Sequence, residues 1–424
     1  MFKKYVEQYK DEIIKTTQEL IKIPSVNSES TSPDKPFGEE ANNALLYFLH
    51  LAKKLGFKTK NVDGYCGYIE FGEGEELLGI IGHLDVVPKG DNWTFPPFEG
   101  VISDGKIYGR GAIDDKGPVV ASLYAMKIVK DNFKINKRVR LIVGINEELD
   151  WKCINYYKKH EELPTISFSP DADFPCIYAE KSILTCFLNS YYEPSENDLI
   201  TIDGIDCNKN AINVVPNICS VILKTNKLSM EDFIKEINKF ITNLNYEIDI
   251  YKIDNHTVKL TSYGIASHAA HPNLGKNAIS QLIVLLNNLF KFYNLENTAT
   301  QLFDLFTKYI NTQFNGKNLE IDFKDESGPL TLNVGNFSFN NNILKIGMNL
   351  RVPVTIDINI IKNAFLKSTD LYEHVNFEVT NYMPALYVSK DDYLVKTLCK
   401  IYNEETNSNL SPIAIGRRNI CSCI

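Results

Sequence analysis

The stretch Leu77–Val87, LLGIIGHLDVV, decides the fold class. It is a short and almost continuous apolar run, and near its end a histidine and an aspartate, His83 and Asp85, are two residues apart. Similar runs occur at 64–72 (GYCGYIEFG), 138–148 (RVRLIVGINEE) and 165–170 (TISFSP), with helical segments between them. Short apolar strands that alternate with helices predict an α/β domain, in which a mixed sheet carries helices on both faces.

A second unit is expected inside this domain. The chain has 424 residues, which is too many for one ordinary core. After Ile183 the pattern changes to β-type runs such as TVKLTSYG (257–264) mixed with helices, which predicts an inserted α+β domain. The expected limits are therefore 1–182 with 384–424 for the first domain and 183–383 for the insertion. The run LSPIAIG (410–416) is expected to return as a strand to the first sheet.

Composition excludes several classes of function. The chain is 44% hydrophobic and 23% charged, with a formal net charge of −8, which argues against nucleic acid or an anionic membrane as the main partner. It has neither a signal-peptide core nor an apolar run long enough to span a bilayer, so we expect a cytoplasmic protein. Nine irregularly spaced cysteines are expected to be reduced thiols. Seven of them are expected to be small core residues, namely Cys66, Cys153, Cys176, Cys186, Cys207, Cys219 and Cys399.

Acidic and imidazole groups follow the apolar runs in four clusters. The clusters are GHLDVVP (82–88), YGRGAIDDKGP (108–118), GINEELD (144–150) and FSPDADFP (168–175). On a strand, His83 and Asp85 face the same side, and a carboxylate beside a histidine can raise its basicity as a metal ligand. Each cluster alone also has a plain explanation, as a core histidine, a polar turn or an acidic helix start. Together they indicate a ligand site, because ligands bind at the carboxyl ends of strands in such sheets.

This ordered set of motifs resembles the M20 family of zinc peptidases, particularly the bacterial PepV-like dipeptidases. The resemblance covers most of the chain and includes NWTFPPFEGVISDGKIYGRG (92–111), SHAAHP (267–272) and NLRVPV (349–354). It implies a zinc aminopeptidase-like catalytic domain with an inserted α+β lid domain. It also implies a cis peptide bond after Asp114, as the family often has.

The resemblance assigns roles to the four clusters. His83 and Asp171 would hold one zinc ion, Asp114 would bridge two, and Glu148 would hold the second. Two zinc ions bridged in this way would lower the pKa of a shared water molecule, the nucleophile. Glu147 would be the general base that takes the proton of this water, and Asp85 would be the carboxylate behind His83. Asp115 is not expected to be a ligand.

Further roles fall in the inserted domain. His268 would reach over the site and stabilise the oxyanion, with His271 as second choice, and Asn213 would assist as an amide donor. Arg351 would bind the free carboxylate of the substrate, a bidentate task that suits a guanidinium group. The plainer explanations are a surface histidine at His268 and an ion pair within the sheet at Arg351.

The predicted activity is the hydrolysis of dipeptides that have a free C-terminal carboxylate. Two alternatives remain: an M20 amidohydrolase acting on N-acyl amino acids or succinyl-diaminopimelate, and a catalytically inactive product, either a pseudogene translation or a binding protein that uses the lid cleft. A small peptide is the expected partner. A monomer is favoured over a homodimer, because an extended lid of the PepV type can close the site within one chain.

The last residues depart from the family pattern. After a strand like SPIAIG the family has a stretch of the form GGTYARA and then a final histidine that completes the second zinc site. This chain has RRNICSC (417–423) instead. One inserted base before codons for GGTYARA (GGA GGA ACA TAT GCT CGT GCN) yields Arg-Arg-Asn-Ile-Cys-Ser-Cys. We therefore expect a frameshift after Gly416, which leaves the second zinc only Asp114 and Glu148 and impairs activity. Resequencing the genomic DNA tests this.

Overall fold

The computed structural model describes residues 2–195, 197–207, 211–225 and 227–416. The helices in this part of the chain are α1 (Lys3–Ile21), α2 (Glu39–Lys54), α3 (Lys116–Asn132), α4 (Lys152–His160), α5 (Met230–Leu244), α6 (Ala278–Phe292), α7 (Thr298–Tyr309), α8 (Ile358–Thr369) and α9 (Tyr393–Thr406), with short 3₁₀ turns at Pro272–Leu274 and Lys317–Leu319. The strands up to the middle of the chain are β1 (Lys58–Val62), β2 (Cys66–Phe71), β3 (Leu77–His83), β4 (Val101–Ser103), β5 (Lys106–Tyr108), β6 (Arg138–Gly144), β7 (Ile166–Phe168), β8 (Ile177–Glu180), β9 (Ser182–Tyr191) and β10 (Thr201–Cys207). The later strands are β11 (Ile218–Lys224), β12 (Ile248–Lys252), β13 (Thr257–Tyr263), β14 (Lys324–Asp325), β15 (Gly328–Pro329), β16 (Thr331–Asn340), β17 (Ile343–Val352), β18 (Asn376–Met383), β19 (Leu386–Tyr387) and β20 (Ile413–Ile415).

The described residues form two compact units, one up to Asp173 and the other from Phe174 to Gly416. The domain limits expected from the sequence, 1–182 with 384–424 and 183–383, stay a prediction. The part of the chain covered by the structure contains no helix that is both long enough and apolar enough to cross a bilayer.

The first unit contains a five-stranded mixed sheet in the order β1-β2-β6-β3-β7. Strand β2 is antiparallel to both of its neighbours, β1 and β6, whereas β3 runs parallel to both β6 and β7. Helices cover both faces. On β2, Gly67 packs against Leu45 of α2, whereas the ring of the next residue, Tyr68, contacts Tyr157 of α4. Because successive residues of a strand point to opposite faces, α2 and α4 lie on opposite sides of the sheet, and the predicted α/β class is confirmed.

The parallel strands bring the motifs to one edge of this sheet. In the register His83 is paired with Gly144, and Ile80 with Phe168. The chain leaves β3, β6 and β7 at their carboxyl ends, so the residues that follow each strand emerge on the same side. This is the edge at which open α/β sheets bind ligands.

The second unit has α+β character. Its central sheet, β16-β17-β9-β18, is antiparallel throughout, and a second antiparallel sheet has the order β10-β11-β13-β12. Helix α6 supplies much of the core, because twelve of its residues are buried. The inserted region thus contains the mixture of strands and helices that the sequence predicts.

The strand in LSPIAIG does not join the first sheet, so that prediction is wrong. β20 pairs in parallel with β8, and together with β19 they form a separate three-stranded sheet. The N–H of Ile413 donates to the carbonyl oxygen of Cys176 at 2.9 Å, and the N–H of Lys181 donates to that of Ile415 at 3.1 Å. An apolar run predicts a strand but does not specify its partner. The frameshift predicted for Arg417–Cys423 lies outside the described residues.

The cysteines also require a correction. The structure joins Cys207 and Cys219 in a disulfide, where the sequence predicts reduced thiols. The two residues are directly opposite each other on β10 and β11, with Cα atoms 4.1 Å apart, because strand pairing brings them together. The prediction of small core residues is confirmed for the free cysteines that are buried, namely Cys66, Cys153, Cys186 and Cys399.

Candidate active site

His83 is the centre of a cluster at the carboxyl edge of the first sheet. Its side chain is fully buried, and its Nε2 lies 3.0 Å from Oδ1 of Asp114 and 3.6 Å from Oδ2 of Asp171. One potential ligand atom from each of these three residues lies within 4.8 Å of the others. His83, Asp114 and Asp171 can therefore share one metal ion. We call these three residues the ligand trio.

Asp85 orients the histidine and the neighbouring acidic loop. The Nδ1 atom of His83 lies 3.0 Å from the carbonyl oxygen of Asp85 and 3.5 Å from its carboxylate, so a proton on Nδ1 leaves Nε2 as the metal-ligating atom. The carboxylate of Asp85 also accepts hydrogen bonds from the backbone N–H groups of Glu147 and Glu148, each at 3.1 Å. Asp85 is completely buried and connects two of the sequence motifs.

The two glutamates of this loop are partly buried and have acidic neighbours. Burial, with the nearby charges of Asp171 and Asp85, raises the pKa of Glu147 to about 8 against the opposing effect of His83. Burial, with the charges of Asp114 and Asp85, raises the pKa of Glu148 to about 7. The Oε2 atom of Glu147 lies 3.9 Å from Nε2 of His83, which places this carboxylate beside the ligand trio.

The protonation of His83 depends on burial and on the three aspartates around its ring. Burial alone pulls its pKa down, but hydrogen bonds with Asp114, Asp171 and Asp85 outweigh burial and raise the pKa well above its usual value. Several carboxylates that share one buried cationic partner form an unbalanced cluster, and a divalent cation would neutralise it. A histidine with two carboxylates is also a donor set that zinc and related ions accept. The residues present therefore fit a metal ion.

Asp115 has a different position from its neighbour. Its Oδ2 accepts a hydrogen bond from the backbone N–H of His83 at 3.1 Å, and the side chain is fully buried. The peptide bond between Asp114 and Asp115 is cis, as the resemblance implies. Glu148, expected to hold a second ion, does not belong to the ligand trio.

Lys116 was missed by the sequence analysis. It is fully buried, and its Nζ donates to the carbonyl oxygens of Leu20 at 2.9 Å and Ile23 at 2.7 Å. It therefore ties the carboxyl end of α1 to the start of α3, directly after the two aspartates. In the sequence, DDKG is typical of an exposed polar turn and gives no signal of this role.

The predicted substrate residues gather in the second unit. His268 and Val214 form an isolated antiparallel β-bridge through their backbones. The N–H of Ala269 donates to the carbonyl oxygen of Asn213 at 2.9 Å. The hydroxyl of Thr331 donates to the carbonyl oxygen of Ala269 at 3.1 Å, and Thr331 is the strand partner of Arg351. The backbone of Asn213 therefore lies beside the His268 loop, and this loop contacts β16 at Thr331, the strand partner of Arg351. His271 follows in the same loop and accepts a hydrogen bond from the hydroxyl of Ser267 through its carbonyl oxygen.

Arg351 is a buried cation. Arg351 is only 4% exposed, and burial lowers the pKa of its guanidinium group to about 10. Its Nε is buried and has no hydrogen-bond partner among the described residues. No carboxylate in the described part of the chain pairs with it, so an ion pair within the sheet does not explain this arginine.

Comparison of the sequence with known proteins finds a matching family and similar proteins in other bacteria. The model of peptidase family M20/M25/M40 matches residues 79–418. "Putative dipeptidase YtjP" of Bacillus subtilis is 38% identical over 413 residues, which are 96% of this chain and 86% of that protein. "Putative dipeptidase SAUSA300_1697" of Staphylococcus aureus is 36% identical over 429 residues, 98% of this chain and 88% of that protein.

Solved structures share the fold. A metallo-carboxypeptidase of the M20 family from Sulfolobus solfataricus, Sso-CP2, matches with a TM-score of 0.54, covering 97% of this chain and 88% of its own. Human carnosine dipeptidase 1 matches with a TM-score of 0.52, covering 99% and 88%. Both are 14% identical to this chain, so they support the architecture and not a particular substrate.

Proposed function

Because the chain belongs to peptidase family M20/M25/M40 and is a metallopeptidase, we propose that it hydrolyses dipeptides with a free C-terminal carboxylate in a zinc-dependent reaction. The observation that carries this proposal is the ligand trio, with the carboxylate of Glu147 3.9 Å from the ring of its histidine. The relatives named as dipeptidases support the substrate class.

The proposed metal site uses the residues expected from the sequence. His83 and Asp171 would hold one zinc ion, Asp114 would bridge to a second, and Glu148 would hold that second ion. Bound zinc would lower the pKa of a water molecule and polarise the peptide carbonyl. In the described residues the cluster contains one histidine, so the second ion has only carboxylates from this unit as ligands. We therefore expect the second ion to bind more weakly than the first, and activity to be impaired.

Glu147 is the proposed general base. It lies beside the ligand trio, and its side chain is 12% exposed. Burial raises the pKa of this carboxyl group in the metal-free site, and a carboxylate held in this position can accept a proton from the attacking water. The same carboxyl group would deliver the proton to the amine that leaves. Asp85 assists by fixing the backbone of Glu147 and the tautomer of His83.

The proposed substrate contacts lie in the second unit. Arg351 binds the terminal carboxylate, since it is a buried guanidinium group for which the described residues supply no acid. Asn213 and His268 donate hydrogen bonds to the oxygen of the reacting carbonyl. That the chain acts as a monomer in the cytoplasm stays a prediction, which sedimentation and cell fractionation test.

Hydrolysis of Ala-Ala, compared with N-acetyl-alanine and succinyl-diaminopimelate, tests the proposal. We expect cleavage of Ala-Ala that a chelator abolishes and zinc restores. Preference for either acylated substrate would favour another M20 amidohydrolase. Absence of all three activities in a folded, zinc-loaded chain would contradict the proposal and favour an inactive product.

A further inference from the structure

Lys181 is a buried cation that the proposed mechanism does not use. It lies between β8 and β9 and is 6% exposed. Its Nζ donates one hydrogen bond, to the carbonyl oxygen of Pro329 at 2.5 Å. An ammonium group has three donors, and no carboxylate of the described residues lies within 4 Å of this one. Its hydrogen-bonding capacity is therefore only partly used.

Lys181 lies at the same end of the central sheet as Arg351. Its neighbour in the chain, Ser182, begins β9, and Ile183 is the strand partner of Arg351. On the other side Arg351 is paired with Thr331, two residues after the Pro329 that binds Lys181. The positive charge of Arg351 contributes to the lowered pKa of Lys181, whose main cause is burial.

The oxygens of Asp325, an acid that interacts electrostatically with Lys181, already accept other hydrogen bonds. Asp325 attracts Lys181, but its Oδ1 accepts hydrogen bonds from the N–H and hydroxyl of Ser327. Its Oδ2 accepts two more from the N–H and hydroxyl of Thr355, both at 2.8 Å. Two buried cations close to each other are unfavourable unless an anion lies between them. Within the residues that the structure describes, no carboxylate forms an ion pair with either cation, so the carboxylate of a bound ligand could balance both charges.

We infer that Lys181 is a second cationic residue for the terminal carboxylate of the substrate, acting together with Arg351. The inference rests on the proposed function and extends it to specificity. The planar guanidinium group can hold both carboxylate oxygens, whereas the ammonium group adds a compact charge. Together they discriminate a free C-terminus from an amidated or extended one, because only the free carboxylate balances both charges.

Calorimetric binding of Ala-Ala and of Ala-Ala amide tests this. The full chain is used with zinc, in an E147Q background that prevents turnover. We expect the parent to bind Ala-Ala more tightly than the amide. Lys181→Met should weaken binding of Ala-Ala by about 10- to 100-fold, the range for a lost charge-assisted hydrogen bond, and leave binding of the amide unchanged.

Two further variants separate charge from structure. Lys181→Gln keeps a donor for the Pro329 carbonyl but removes the charge, so it should weaken binding of Ala-Ala as much as Lys181→Met does. It also tests the role of the charge if Lys181→Met folds poorly. Lys345→Met is the matched control, because Lys345 is a half-buried lysine on β17 whose pairing partners, Ser338 and Asn189, are uncharged. It should leave both affinities unchanged.

The outcomes distinguish the inference from the proposed function. If the parent binds Ala-Ala well and Lys181→Gln binds it equally well, Lys181 only supports the turn at Pro329 and the inference is wrong. Equal weakening for the acid and the amide leads to the same conclusion. If the parent binds neither ligand, the proposed function itself fails, and the inference fails with it.

Discussion

The carboxylate of Asp115 accepts a hydrogen bond from the backbone N–H of His83 at 3.1 Å, whereas the carboxylate of the adjacent Asp114 lies 3.0 Å from the ring of the same histidine. Two neighbouring aspartates thus act on different parts of one residue. Asp115 fixes the end of the strand, and Asp114 takes part in the ligand trio.

This difference predicts unequal effects on metal binding. Asp114→Asn removes a charged ligand and should lower zinc affinity at least tenfold more than Asp115→Asn does, because asparagine at 115 still offers an oxygen to the N–H of His83. Zinc competition with a chromogenic chelator measures both affinities. Equal losses for the two variants would contradict the assignment.

Asp85 should matter for both the metal site and stability. Asp85→Ala leaves the N–H groups of Glu147 and Glu148 without their acceptor, so we expect a loss of about 1–3 kcal/mol in the free energy of unfolding. Zinc affinity should fall by about 10- to 100-fold, as for other residues that orient a ligating histidine. Denaturation and zinc titration measure the two effects. Unchanged zinc affinity would show that Asp85 does not orient His83.

The metal-free chain should become less stable between pH 5 and pH 7. Burial raises the pKa of Glu147 from its ordinary 4.5 to about 8, and that of Glu148 to about 7, so the folded state binds more protons than the unfolded state in this window. The free energy of unfolding therefore falls as pH rises. With about 1.4 kcal/mol for each pKa unit, we expect a loss on the order of 2 kcal/mol from Glu147.

Urea denaturation with a chelator at pH 5, 6 and 7 measures this slope. Glu147→Gln is the control and should reduce the slope, because glutamine does not titrate. The window ends at pH 7, since burial lowers the pKa of Lys116 to about 7 and this residue acts in the opposite direction at higher pH. Stability that rises from pH 5 to pH 7 would contradict the prediction.

Lys116 is expected to be a stabilising residue. Lys116→Met leaves the carbonyl oxygens of Leu20 and Ile23 without a partner, and should lower the free energy of unfolding by about 1–3 kcal/mol. Lys134→Met is the matched control, because Lys134 is exposed just after α3. A similar effect of the two substitutions, measured by urea denaturation, would show that the hydrogen bonds of Lys116 contribute little.

Much of the first unit was predictable because its chemistry follows its hydrophobic pattern. Buried parallel strands are continuous apolar runs, and polar residues directly after them meet at one edge, as His83 and Asp171 do around Asp114. The partner of a strand is not encoded in this way. The sequence therefore assigned Ile413–Ile415 to the wrong sheet and missed the pairing that joins Cys207 to Cys219.

Isolated buried charges were the other omission. Lys116 and Lys181 contact backbone carbonyl oxygens of residues distant in the chain, and such acceptors exist at every position of a sequence. A single lysine between strands is typical of an exposed residue, so only the fold indicates that these two are buried. The second hydrogen-bonding role of Asp85, toward Glu147, was missed for the same reason.

The most direct test of the central claim is the position of the metal. Crystals of the zinc-loaded chain, measured on both sides of the zinc absorption edge, should give an anomalous peak about 2.0–2.2 Å from Nε2 of His83 and from carboxylate oxygens of Asp114 and Asp171. A zinc-loaded crystal with no peak there, or with its zinc bound to other residues, would contradict the account.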